Sequence, residues 1–300
     1  MRSFFAMVKR NCKVFFKDKG LFFTSLITPI ILLVLYATFL KNVYVDSFNS
    51  ALPEGLIIDK KIINGTVSGE LISSLLAVSC ITVSYCTNIV LVRDRVSGAR
   101  KDFLMTPMKK SKMGLSYFVS SAISTLIITF VTLIAGLIYI AVTGWYLSAV
   151  DVVLICVDVI LLSLFGTAFS SVINFFLKTN GQVSGIGTII SAGYGFICGA
   201  YMPIASFSSG LRNTLALLPG TYGTALIKNH FLSGVCKEMG SQGFPSEVVE
   251  GIKDSIDCNI YFFDKSVSIG AMYGVLIGAL VVLVGLYVLF NAVIPQKDGK

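Results

Sequence analysis

Charged residues are scarce in this chain. Only 13% of its 300 residues are Asp, Glu, Lys or Arg, about half the roughly 25% usual in soluble domains. Histidine occurs once, at His230, which leaves two-histidine zinc sites without a partner and histidine triads without a recognisable context. No cysteine pair has metal-ligand spacing, and no G-x-x-x-x-G-K-[ST] loop is present to cradle nucleotide phosphates. These absences exclude a zinc enzyme and a phosphate-loop ATPase. If ATP drives this protein, another polypeptide hydrolyses it.

Apolar residues take the place of charge: 55% of the chain is hydrophobic and the mean hydropathy is +0.82. That composition defines an integral membrane protein. Stretches long enough to cross a bilayer, about 20 mostly apolar residues, lie at 21–40, 70–92, 115–142, 152–177, 183–203 and 267–290. The expectation is an all-α, polytopic fold with six transmembrane helices over residues 21–300. Of the 24 basic residues, 16 lie before the first span, between spans two and three, at Lys178 or at the C-terminus, against only four acidic ones. The positive-inside rule then places both termini and the 93–113 loop in the cytoplasm. The net charge of +8 is accounted for by topology, so nucleic acid is not called for as a partner.

Residues 1–20 read as an amphipathic helix lying in the membrane interface. Phe4, Phe5, Val8, Cys12, Phe15 and Phe16 share one arc, with Arg2, Lys9, Arg10, Lys13 and Lys17 beside it. Charges run up to Lys19 and no cleavage site follows, which excludes a signal peptide. In the fifth expected span Gly187, Ser191, Gly195 and Gly199 repeat every four residues, and in the sixth Ser266, Gly270, Gly274 and Gly278 do the same. Small residues on one face allow close helix packing within the chain or across a dimer; a substrate groove is the sharper alternative.

The 204–265 segment is expected outside the cell, with short or re-entrant helices broken at Pro219-Gly220. Cys236 and Cys258 bracket its polar part and, facing an oxidising compartment, are candidates for a disulfide. His230 is expected on a surface near the outer membrane face. Asp158 is the ionisable residue within a span, so it is a candidate pathway residue, or is hydrated or paired with a hydroxyl of a neighbouring helix.

The cytoplasmic loop "DRVSGARKDFLMTP" supplies a further signal. Asp94, Arg95, Gly98, Leu104, Thr106 and Pro107 stand at the positions of an acidic residue, Arg, Gly and a closing Leu-x-Thr-Pro. In this the chain resembles the permease subunits of type-2 ATP-binding-cassette exporters. "GAYMPIASFSSGLRNTLALLPGTYGTALI" is similar to the family's segment after the fifth span, through Pro203, Pro219 and Tyr222, and "FFKDKGLFFTSLITPIILLVLYATFL" to its entry into the first. Val96, Ala99 and the Arg100-Lys101 pair depart from the pattern. The resemblance implies that the loop forms a coupling helix seated on a separate ATPase subunit. It also implies a homodimer or heterodimer of permeases lining the substrate pathway, and ATP and Mg bound by the partner, with no cofactor on this chain. Phe103, Leu104 and Met105 would supply the loop's apolar contact, while Arg93, Lys109, Lys110 and Lys112 suit anionic lipid headgroups. The setting implied is a cell membrane, bacterial by type. The readings from other classes are an assembly or immunity factor with a cytoplasmic partner, and an ATP-independent carrier, for which inverted repeats and intramembrane charges would speak.

Overall fold

The computed structural model describes residues 2–36, 38, 45, 59–197, 199, 201–263 and 265–294. The end of the first expected span, nearly all of the connection up to 58 and the C-terminal lysines therefore lie outside the described residues.

The first helix, α1 (Arg2–Lys17), meets α2 (Lys19–Leu35) at an angle of 73°. Asp18 sits at the corner, and its carboxylate accepts a hydrogen bond from the Leu21 amide at 3.0 Å, an N-cap that satisfies one of the donors a helix start leaves free. The amphipathic arc of α1 divides its work. Met7, Val8 and Phe15 are buried against the bundle, while Phe5 and Phe16 stay exposed.

The longest helix is α3 (Lys60–Val96), 37 residues. It begins ten residues earlier than hydropathy suggests, because Asp59 caps it through the Lys61 amide and Ile62 and Ile63 are buried despite their polar neighbours. A helix that is apolar all round belongs inside. α3 is accordingly enclosed by α5 (Lys110–Thr143), α6 (Ala149–Phe176), α9 (Pro219–Ser241), α2 and α7 (Asn180–Ile197).

Water gives no advantage to apolar contact between helices inside a bilayer, so hydrogen bonds and close approach hold these helices together. Asn88 donates to the Thr167 carbonyl at 3.1 Å and accepts from Ser171 at 3.1 Å, and one turn earlier Ser84 donates to the Ser163 carbonyl at 3.2 Å. Thr87 of α3 meets Thr125 of α5 at 2.9 Å. Gly166 lets α6 touch α3, since a β-carbon there would come within 2.8 Å of Ile81 and 3.0 Å of the Cys80 carbonyl.

Between α3 and α5 lies α4 (Ala99–Leu104). After α7 come a short 3-10 turn (Ile204–Ser206), α8 (Ser209–Leu215), α9, α10 (Ser246–Ser255), and a two-residue hairpin of β1 (Tyr261–Phe262) and β2 (Lys265–Ser266). The break at Pro219 is present, with proline at the first helical position, where its missing N–H costs nothing. The helix it starts is longer than the short ones expected, because its face from Gly220 to Met239 packs into the bundle. The last helix is α11 (Ile269–Val293).

The fold is an all-α, polytopic membrane fold. Among the described residues four helices, α3, α5, α6 and α11, are long and apolar enough to cross a membrane alone, and five if the bent pair α1 and α2 counts as one. The described part of α2 has 17 residues and α7 has 18, which is short for a span.

Candidate functional site

The 93–113 loop is built as a junction. α3 continues through Asp94 and Arg95 to Val96 and stops because Gly98 adopts φ +82°, a left-handed conformation that suits glycine. α4 therefore covers only Ala99–Leu104. Thr106 folds back to donate to the Phe103 carbonyl at 2.6 Å, and Pro107 follows before α5 begins.

Three arginines tie this junction to separate elements. Arg10 of α1 donates through both terminal nitrogens to Asp94, one bond at 2.9 Å, and the Tyr117 hydroxyl of α5 donates to the same carboxylate at 2.7 Å. The Arg10 guanidinium also lies over the Phe103 ring, 5.1 Å from its centre, a cation–π contact. The hydrogen bonds that Arg10 donates to Asp94 hold its guanidinium pKa above the ordinary value. Arg95 reaches across to the end of α6 and donates to the carbonyls of Phe175, at 3.1 Å, and Leu177, positive charge meeting the negative end of a helix. Arg93 pairs with Asp18 at the α1–α2 corner.

The loop residues thus separate into two groups. Asp94 and Arg95 are buried and bonded inside the chain, so neither is placed to touch a partner. Phe103 is half-buried under Arg10. Leu104, Met105, Thr106 and Pro107 are exposed, Met105 at 86%. Arg10 and Tyr117 are the functional residues that sequence reasoning misses. Arg10 reads there as one of five cations on an amphipathic arc, and only its offset toward Asp94 would have singled it out.

Toward the other end of α3 two buried polar clusters appear. Asp158 of α6 is 1% exposed; one oxygen lies 2.5 Å from Nδ1 of His230 and the other accepts from the Tyr273 hydroxyl of α11 at 2.5 Å. His230 is therefore not a surface residue: α9 turns it inward to Asp158. Asp151 serves locally, in a capping box with Ser148 that starts α6.

Lys228, two residues before His230 on α9, is 0% exposed. Its ammonium lies 2.9 Å from Glu70 of α3 and donates to the carbonyls of Gly199, at 2.9 Å, and Ile256, at 3.0 Å. Asp257, 3.9 Å away, accepts from the amides of Ile204 and Ala205. Burial raises the Asp257 pKa and the nearby Lys228 charge counters it. Asp158 is thus one of several buried ionisable groups, and all of those named here have partners.

The small-residue stripe of α7 packs within the chain. A β-carbon on Gly187 would meet Tyr85 at 2.9 Å and one on Gly195 would meet Tyr201 at 2.2 Å, while Gly199 has φ +73° beside Asp257; Ser191 is half-buried and its carbonyl lies 3.5 Å from the Tyr201 hydroxyl. The stripe of α11 is different. Gly270, Gly274 and Gly278 have open space where a β-carbon would stand. Cys236 and Cys258 are free thiols buried in one apolar cluster with Met239 and Val249, and burial pushes the Cys258 thiol well above its ordinary pKa.

Comparison with known families gives a match to the family model described as ABC-2 type transporter, over residues 2–231. No curated protein matches the chain.

Proposed function

The chain belongs to the ABC-2 type transporter family, and from that membership we propose that it is the membrane subunit of an exporter whose ATPase is a separate polypeptide docking on α4. It is a multi-pass membrane permease of the ATP-binding-cassette type, a transport domain and not a catalytic one. The proposal adds six spans, with α2 and α7 as the two short ones, cytoplasmic termini in a bacterial-type plasma membrane, and a dimer in which the open glycine face of α11 packs closely against lipid or the second permease. ATP and Mg enter through the partner. The same sidedness sets Cys236 and Cys258, free thiols in the structure, in an oxidising compartment that would join them as a disulfide.

The observation that carries the reading is the division of the loop. A short helix presents an exposed apolar tip, Leu104 and Met105, while the residues on either side are locked by Arg10, Arg93 and Arg95 to α1, α2 and α6. A docked partner pushing on the tip would move three elements together. An assembly factor or an ATP-independent carrier has no need of such a lever, and the family membership favours transport driven by ATP. The experiment is site-directed cross-linking: Met105→Cys should form a bond to a cysteine placed in the docking groove of the co-expressed ATPase, whereas Thr214→Cys, on exposed α8, should not. Cross-linking from Thr214→Cys alone would refute the docking.

A further inference from the structure

A cavity of about 540 Å³ separates the start of α1 from the segment that leaves α4. Its walls are Ser3, Phe4 and Phe5 on one side and Thr106 to Lys109, Lys112 and Leu115 on the other. The volume falls within the range of small-ligand sites. Two lysines line it and no carboxylate does. Neither Lys109 nor Lys112 forms an ion pair among the described residues.

The charge here runs against the usual preference. The start of a 34-residue helix carries partial positive charge and favours acidic residues, yet α5 opens with Lys110 and Lys112, has no acid in its first turn, and receives no side-chain cap from Lys109. Positive side chains gathered in this way repel one another and call for an anion. The remaining walls are of the opposite character: Phe4, Phe5, Pro107, Met108 and Leu115 are apolar, and Phe5 is 64% exposed. One ligand chemistry satisfies both, an anionic head joined to hydrocarbon.

We propose that this cavity holds a single anionic phospholipid, its headgroup phosphate between Lys109 and Lys112 and its acyl chains along Phe4, Phe5 and Leu115. The lipid would join the start of α1 to the end of the coupling loop, adding to the Arg10–Asp94 bond that already ties α1 to this junction. The proposal rests on the functional reading only for which leaflet supplies the lipid; binding itself requires no ATPase.

The test uses the full chain in detergent, with native mass spectrometry after addition of phosphatidylglycerol or phosphatidylcholine. The wild-type protein should retain one phosphatidylglycerol in preference to phosphatidylcholine. Lys109→Gln with Lys112→Gln should weaken retention roughly thirtyfold, two charges at the value typical of lysines near an anionic membrane surface. Leu115→Trp, which fills the apolar wall, should weaken it as well. Lys9→Gln with Lys13→Gln, the same charge removed from α1 outside this cavity, should not. Inorganic phosphate should fail to displace the lipid. Equal retention by the Lys109/Lys112 variant, equal loss in the Lys9/Lys13 variant, or displacement by phosphate, which would mark a free-anion site, would each overturn the proposal. If binding holds while ATPase stimulation is absent, the lipid site stands and the coupling reading falls.

Discussion

At the scale of single residues, the strongest commitments are buried charges whose partners come from distant parts of the chain. Arg10→Ala would leave Asp94, 7% exposed at its side chain, with Tyr117 alone. Breaking a fully buried pair costs about 3–5 kcal/mol. The Arg10 side chain is 34% exposed, so screening lowers the expected loss to roughly 2 kcal/mol. Tyr117→Phe removes one hydrogen bond to the same carboxylate and should cost about 1.5–3 kcal/mol. Thermal melting in detergent should show both losses. Lys228→Met is expected to be worse, because Glu70 and Asp257 both lose their cation in a site closed to water; the loss should be about 3–5 kcal/mol. Adding Glu70→Gln to Lys228→Met should recover part of it. A double variant no better than the single one would show that Lys228 acts through its carbonyl bonds rather than through Glu70.

At the scale of elements, the corner between α1 and α2 depends on one carboxylate. Asp18 is held below the usual carboxylate range first by the Leu21 amide and then by Arg93. A depressed folded pKa contributes stability that is present above the unfolded value of about 4 and is lost as pH falls through the folded value. Asparagine caps a helix about as well as aspartate, so Asp18→Asn isolates the charge. The melting temperatures of wild type and variant should differ at pH 6, and the difference should shrink as pH falls below the unfolded value of about 4; a constant difference through that fall would show that Asp18 acts through capping geometry alone.

The elements also mark the limit of what the sequence discloses. Hydropathy and helical periodicity are local signals, and they identify α1, the loop, a break at Pro219 and the cores of four long helices. They misplace the start of α3, because Lys60, Lys61 and Asn64 look like a loop until Asp59 is seen to cap the helix and Ile62 to be enclosed. They hide Lys228 and His230 for a different reason. Both sit in the mostly apolar run "TALIKNHF", and their partners, Glu70 and Asp158, belong to other helices. Pairing across elements leaves no periodic trace. The loop motif was legible, but not which of its residues face inward: Asp94 and Arg95 look as available as Leu104 until Arg10 and the carbonyls of α6 are placed.

At the scale of the whole molecule, these parts are joined through one helix. α3 is about 55 Å long at the helical rise per residue, and near-complete burial makes it a rod held by its neighbours. One end carries the Arg10, Arg93 and Arg95 ties beside α4. Towards the other end Glu70 is bound to Lys228, which also holds the Gly199 and Ile256 carbonyls. Displacement of α4 by a docked partner would therefore reach the far-side cluster through a single helix.

The most direct measurement is ATP hydrolysis by the reconstituted complex of this permease and its ATPase. Leu104→Asp places a charge on the exposed tip of α4, and Gly98→Pro imposes a negative φ where the backbone has +82°. The account predicts that each abolishes permease-stimulated hydrolysis while membrane insertion is retained. Unchanged stimulation in both variants would contradict it.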